Sequence, residues 1–340
     1  MRQKFVVTVL VLLLVGIVTA SCSSHSIKKV VLKKTTTTTS LASLKCPLTD
    51  TSAPGNLVPM RPALAIKVDN YPTARPQAGL NQADVVFDEP VEGFITRFVA
   101  VFQCQTPPLV GPIRSARLID VAILDELSDP IFIHAGGIQQ VIDALKAANA
   151  YDDNIFWHGS IEINPPGRQA PYDTYTSTTN AWALQPSDTT PPEPLFNFGP
   201  INKSASSVSS ININFSPTND TTWTWDAALK KFELSYKGVV ALDSLGLPLV
   251  ANNVLVERVS VTFGPWWENS QGGLEVVADM TGTGQASLFR DGEVVNGTWQ
   301  RSSLASPTTY VDNSGGSMNF TPGNTWVEIV PNQVSTSVNP

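Results

Sequence analysis

The chain has 340 residues, of which 22 are basic and 29 acidic, giving a formal charge of −7 with only 15% of residues charged. An acidic balance of this kind argues against nucleic acid as a partner. Beyond the N-terminal segment about 300 residues remain, enough for one large or two ordinary domains.

Arg2 and Lys4 precede an apolar run from Phe5 to Val18, followed by Thr19-Ala20-Ser21-Cys22. This order reads as a secretory signal over 1–21 with a lipobox, so Cys22 is the expected lipidation site and new N-terminus. The protein would then be lipid-anchored on the extracytoplasmic face of a bacterial membrane. Thr19 stands where the motif usually has leucine. An ordinary cleaved signal and an uncleaved anchor are the alternatives, the latter disfavoured because the run falls short of the ~20 residues that span a bilayer. Loss of Arg2 and Lys4 leaves 20 basic against 29 acidic residues, a charge of −9. Residues 22–60 read as a tether: Lys28, Lys29, Lys33 and Lys34 form a basic cluster suited to anionic headgroups, and Thr35 to Ser40 are low-complexity.

Cys46 and Cys104 are the two cysteines besides Cys22, and export places them in an oxidising space, so a disulfide is expected. Two buried free thiols are the alternative. Over 61–182, Leu64–Val68, Asp84–Asp88, Ile95–Gln103 and Ile131–His134 have the β-branched and aromatic content of strands. Ala116–Leu127, with Ser115 as N-cap, and Ile138–Ala148 carry helical spacing. Residues 183–217, rich in Pro and Ser, read as a connection. From 218 to 331 alternating runs at Thr222–Asp226, Lys231–Tyr236, Val254–Phe263, Leu274–Met280, Ala286–Arg290, Glu293–Gln300 and Thr325–Val330 predict antiparallel sheet.

Several ordered motifs share one resemblance. Arg61-Pro62, Val68-Asp69-Asn70, Ala74 to Leu80, Ala83-Asp84-Val85, Glu92-Gly93, Thr96-Arg97-Phe98, Gly111-Pro112-Ile113-Arg114-Ser115-Ala116-Arg117 and His134-Ala135-Gly136-Gly137 resemble the YerB-like lipoprotein family. So do Ala251-Asn252-Asn253-Val254, Gly284 to Phe289, Asp291-Gly292, Gly297-Thr298-Trp299 and Pro322 to Trp326. The resemblance spans Arg61 to Pro331 and implies an envelope lipoprotein with no assigned reaction. It also implies an α+β fold: a layered α/β sandwich with a mixed α/β N-terminal part and a mainly antiparallel β C-terminal part. Where that family commonly carries Ala-Pro-His-Asn, this chain has Ala170-Pro171-Tyr172-Asp173, so a histidine expected near the site is absent.

The charged residues between Asp69 and Gly137 are the candidate site. Arg114 and Arg117 beside a helix start capped by Ser115, with Gly136 and Gly137 at the next, suit a polar or anionic ligand. Asp69, Glu89, Glu92, Arg97 and His134 complete the set. The alternative is structural: the arginines pair with Asp69, Glu89, Glu92 or Asp120. A cation held by Asp69, Asp88, Glu89, Glu92 and His134 is a weaker reading, because their spacing matches no metal signature, and neither metal nor cofactor is expected. Ser115 as a nucleophile with His134 as base would make the same cleft a hydrolase or transferase. His158 reads as structural. The tryptophans of the C-terminal part read as core, with a sugar platform or a protein-recruiting face as alternatives.

Overall fold

A computed structural model describes residues 43–340 apart from 149, 158 and 269–271, and residues 43–340 form one compact unit. The signal, Cys22, the lysine cluster and His158 lie outside the described residues. The N-terminal part contributes β1 (Leu64–Asp69), β2 (Val85–Pro90), β3 (Thr96–Phe102), α1 (Leu118–Leu124), β4 (Ile131–His134), α2 (Gln139–Leu145), β5 (Tyr151–Asn154) and α3 (Thr178–Trp182). There follow β6 (Ser206–Ser207), β7 (Ser210–Ser216), β8 (Asn219–Asp226), β9 (Lys231–Tyr236), β10 (Val239–Val240), β11 (Val250–Ala251) and β12 (Asn253–Val259). The remainder is β13 (Val261–Trp267), β14 (Leu274–Ala278), β15 (Gly282–Arg290), β16 (Glu293–Arg301), β17 (Thr309–Asp312), β18 (Thr325–Pro331) and β19 (Ser335–Asn339).

These strands build an α+β sandwich. Eleven strands form one mixed sheet running β17-β16-β15-β12-β18-β2-β3-β1-β4-β5, with β6 beside β16. Six form a second, antiparallel sheet, and β13–β14 project as a two-stranded arm. Because side chains alternate across a strand, the large sheet carries two apolar faces. Ile66, Val86, Phe98 and Trp326 pack against Ile211, Trp223 and Phe232 of the second sheet. Ala65, Phe87, Val99 and Val327 pack against Ile119, Ile123 and Val141 of the helices.

The observed strands refine one expectation and correct two. The C-terminal part is mainly antiparallel, as expected, but β18 runs parallel to both β12 and β2, joining the halves within one sheet. The stretch 183–217 is not merely a connection. Ile211, Ile213 and Phe215 alternate into the core, so the segment closes as β7, paired with β8 and β19. The long run at Val254–Phe263 is two strands, which part at the exposed Ser260.

Where the described residues begin, Cys46 and Cys104 are joined by a disulfide spanning 58 residues, as expected, with Ala53 and Val58 packed around it. This knot sits by the starts of β2 and β18: Gly323 donates its N–H to Thr49 O, and Cys104 donates to the buried Asp84.

Candidate functional site

The far ends of β1, β2 and β3 carry charge instead of apolar side chains. Their register sets Asp69 opposite Arg97 and Glu89 opposite Arg97, on the face that also bears Lys67. Four charges thus meet where the helix layer thins. Lys67 is fully buried and is ion-paired to Glu89 and, at 2.7 Å, to Asp120 of α1. Burial pulls the Lys67 ammonium down to about 8, against the opposing pull of Asp120. Such a group is tolerated in an interior only with partners on hand.

Arg97 donates from Nη1 to Ser115 O at 2.8 Å and stands 3.6 Å from Glu92. Burial, then the nearby Arg117, lowers it to about 10. Arg114 is threaded beside β1, its N–H donating to Lys67 O, and its Nε lies 2.8 Å from Asp69 Oδ2. The other Asp69 oxygen accepts from the Tyr71 N–H at 2.8 Å. Together with Tyr71, Glu92 and Tyr172 these residues line a polar cleft of about 420 Å³. Tyr172, which occupies the position of the missing histidine, presents its ring 5.7 Å from the Arg114 guanidinium. Burial raises the Glu92 carboxyl, but Arg97 and Arg117 outweigh it and hold the group below its usual range.

Arg117 does not line the cleft. Its side chain is 4% exposed and is gripped by Glu92 at 2.8 Å, Glu268 at 3.0 Å and Glu275 at 3.6 Å. The last two come from the β13–β14 arm, so Arg117 fastens the arm to the helix layer. Burial, then its neighbour Glu268, pushes Glu275 up to about 8. The pairing alternative describes both arginines, Arg117 through Glu92 and Arg114 through Asp69. Arg114, with its side chain 30% exposed, remains at the cleft.

The capping expectation for Ser115 fails, and the second helix starts one residue later than expected. α1 begins after Arg117, which stands at the N-cap and whose N–H donates to Asp120 Oδ2 at 2.7 Å, so Ser115 is not the cap. Ser115 Oγ donates to Ala135 O instead. α2 begins after Ile138, not at Gly136-Gly137. Gly136 adopts φ +77°, which glycine tolerates, and its carbonyl accepts from Ala116 N–H and from His134 Nδ1 at 2.7 Å. His134 is fully buried, with Nε2 2.9 Å from Asp152. Both imidazole nitrogens are engaged away from Ser115, so the serine–histidine pair is not assembled.

The carboxylates are not gathered around one point either. Asp88 faces the opposite side of β2, toward Glu328. Among the described residues no group of three or more His, Cys, Asp or Glu is placed to hold a metal ion. Trp223, Trp299 and Trp326 are core residues, whereas Trp267 is exposed on the arm, so they form no common platform.

Sequence reasoning missed Lys67, Tyr71, Glu268 and Glu275. A lone lysine inside the apolar run Leu64–Val68 is the signal that was there to be read. The glutamates reach Arg117 from more than 150 residues away and left none.

The fold has solved and curated relatives. The chain is 28% identical over 317 residues to the Bacillus subtilis (strain 168) protein named “Putative lipoprotein YerB”, covering 87% of this chain and 88% of that one. The crystal structure of the YerB protein from Bacillus subtilis superposes with a TM-score of 0.74 at 28% identity, covering 86% of this chain and 99% of the other. Residues 48–190 match the N-terminal domain, and residues 211–327 the C-terminal domain, of the family described as Protein of unknown function (DUF3048). The chain belongs to this YerB-like family.

Proposed function

We propose that this protein is a membrane-tethered envelope lipoprotein that binds a polar, anion-bearing ligand in the cleft formed by Asp69, Tyr71, Glu92, Arg97, Arg114 and Tyr172. The tether rests on the signal with Cys22 and on similarity to a protein named as a lipoprotein. No helix among the described residues is long and apolar enough to cross a membrane.

The observation that carries the cleft is Arg114. It is the partly exposed guanidinium of the cluster, held by one carboxylate and flanked by tyrosine rings. A guanidinium fixed in this way meets a carboxylate or phosphate through its remaining N–H groups, while tyrosines add flat apolar surface and hydroxyls for the body of a polar ligand. Glu89, Ser115, Arg117, His134, Gly136 and Gly137 act behind the cleft, fixing the backbone and charges that hold Arg97 and Arg114. The test is thermal unfolding of the parent and of Arg114→Gln with inorganic phosphate and with glucuronate. Stabilisation of the parent by either probe, lost in Arg114→Gln, is the expected result; equal responses in both proteins reject the cleft.

A further inference from the structure

A leucine-bearing loop stands at the side of the domain where the described residues begin. Between β10 and β11, Asp243 is buried and accepts the N–H groups of Leu245 at 2.8 Å and Leu247 at 3.0 Å. Its other oxygen accepts from Asn81 Nδ2 at 3.0 Å, and Ser244 N–H donates to Gln77 O. These bonds hold the loop in one conformation while Leu242, Leu245 and Leu247 point into solvent, Leu245 being 71% exposed. Burying such side chains elsewhere gains roughly 1.5–3 kcal/mol each, so a fixed exposed group of them marks a contact surface.

The position of the loop identifies the occupant. Asn81, which also donates to Pro248 O, lines a surface depression with Thr49, Thr51 and Lys231. The loop and the Cys46–Cys104 knot are therefore neighbours across one residue. The knot presents its own exposed apolar side chains, Leu44, Leu57 and Met60, Leu57 being 67% exposed. Lys45 and Lys231 add positive charge. From Ser43 the chain leads back through 20 residues to Cys22, a reach of at most about 70 Å. A bilayer holding a lipid on Cys22 is thus within reach of this side of the protein.

We infer that the Leu242–Leu247 loop, with the apolar rim of the disulfide knot, is a membrane-contacting surface that seats the domain on the lipid bilayer to which it is tethered. This inference rests on the membrane-tether reading. Apolar side chains enter the headgroup boundary and lysines meet anionic lipid. β1 runs from the knot side at Leu64 to the cleft at Asp69, so seating on this surface turns the cleft away from the bilayer, toward the rest of the envelope.

The test uses the full lipidated chain in vesicles of phosphatidylethanolamine and phosphatidylglycerol, with an environment-sensitive fluorophore on Leu245→Cys or, at the opposite end of β18, on Gln333→Cys. The expected result is a blue shift and quenching by brominated lipid at position 245, with neither at 333. A label at 245 that stays in water while the protein co-sediments with vesicles overturns the surface and leaves the tether standing. Failure of the parent to co-sediment overturns the tether and the surface together. Quenching at both positions, or a blue shift at 245 in concentrated protein without vesicles, also overturns the inference, the latter in favour of a second copy of the chain.

Discussion

Asp88 and Glu328 lie in register on neighbouring parallel strands, one from each half of the chain, and their carboxyls meet in the apolar layer between the sheets. Trp223 Nε1 donates to Glu328 Oε1 at 2.7 Å. Burial raises Asp88 to about 7, and burial followed by the charge of Asp88 raises Glu328 well above the carboxylate range.

Stability should therefore fall with rising pH. The unfolded chain releases these protons near pH 4, while the folded chain retains them, so the stabilisation from protonation is full below about pH 4. It is lost as pH rises through about 7, where Asp88 titrates. Glu328→Gln keeps an acceptor for Trp223 and removes one ionisable group. It should raise the Tm at pH 8 by a few degrees, corresponding to roughly 1–2 kcal/mol, and change it little at pH 5. An equal effect at both pH values refutes the shared-proton account.

The two arginines of the motif Gly111 to Arg117 should separate under mutation. Arg117→Gln removes the cation shared by Glu92, Glu268 and Glu275 in a dry setting and should cost about 3–5 kcal/mol. Arg114→Gln breaks one partly exposed pair and should cost about 1 kcal/mol or less. Urea unfolding of both variants checks this, and comparable losses would mean that Arg114 is as structural as Arg117.

Reducing the disulfide frees a loop of 58 residues. In the chain-entropy view the bridge stabilises by about 4 kcal/mol, so Cys46→Ser with Cys104→Ser should lower the Tm markedly. Thiol labelling of the denatured, unreduced protein should modify neither cysteine; labelling of both would contradict the bridge.

Cys22→Ala should accumulate as unprocessed precursor or leave the membrane fraction. Processing and membrane retention equal to the parent's would remove the lipid anchor from the account.

Strands whose pattern is set by their own residues were legible. Ile131–His134 and Lys231–Tyr236 begin and end where their β-rich content does. β7 was hidden because Ser, Asn and Ile alternate there, and polar composition masked the period of two that buries Ile211, Ile213 and Phe215. The order of strands was not legible. Nothing near Thr325 says that it will lie between β2 and β12, since pairing is decided by partners over 60 and over 200 residues away. The site shows the same division. Asp69, Glu92, Arg97 and Arg114 were found because they share one charged stretch with the cleft they line. Ser115 was misplaced as a cap because the helix begins two residues later, with Arg117 at its N-cap donating to Asp120 within the first turn.

The insertion of β18 between β2 and β12 also sets a timetable. A chain made or exported from its N-terminus presents β1 to β5 first, and β2 then has an unpaired, apolar edge where β18 belongs. That edge stays open until residues 325–331 arrive, so the central sheet closes only after both halves of the chain have been made. Open strand edges of this kind invite pairing with other chains, and long-range closure is slow. A protein truncated just before Thr325 should therefore aggregate instead of folding as two independent halves, and light scattering during refolding of that truncation checks it.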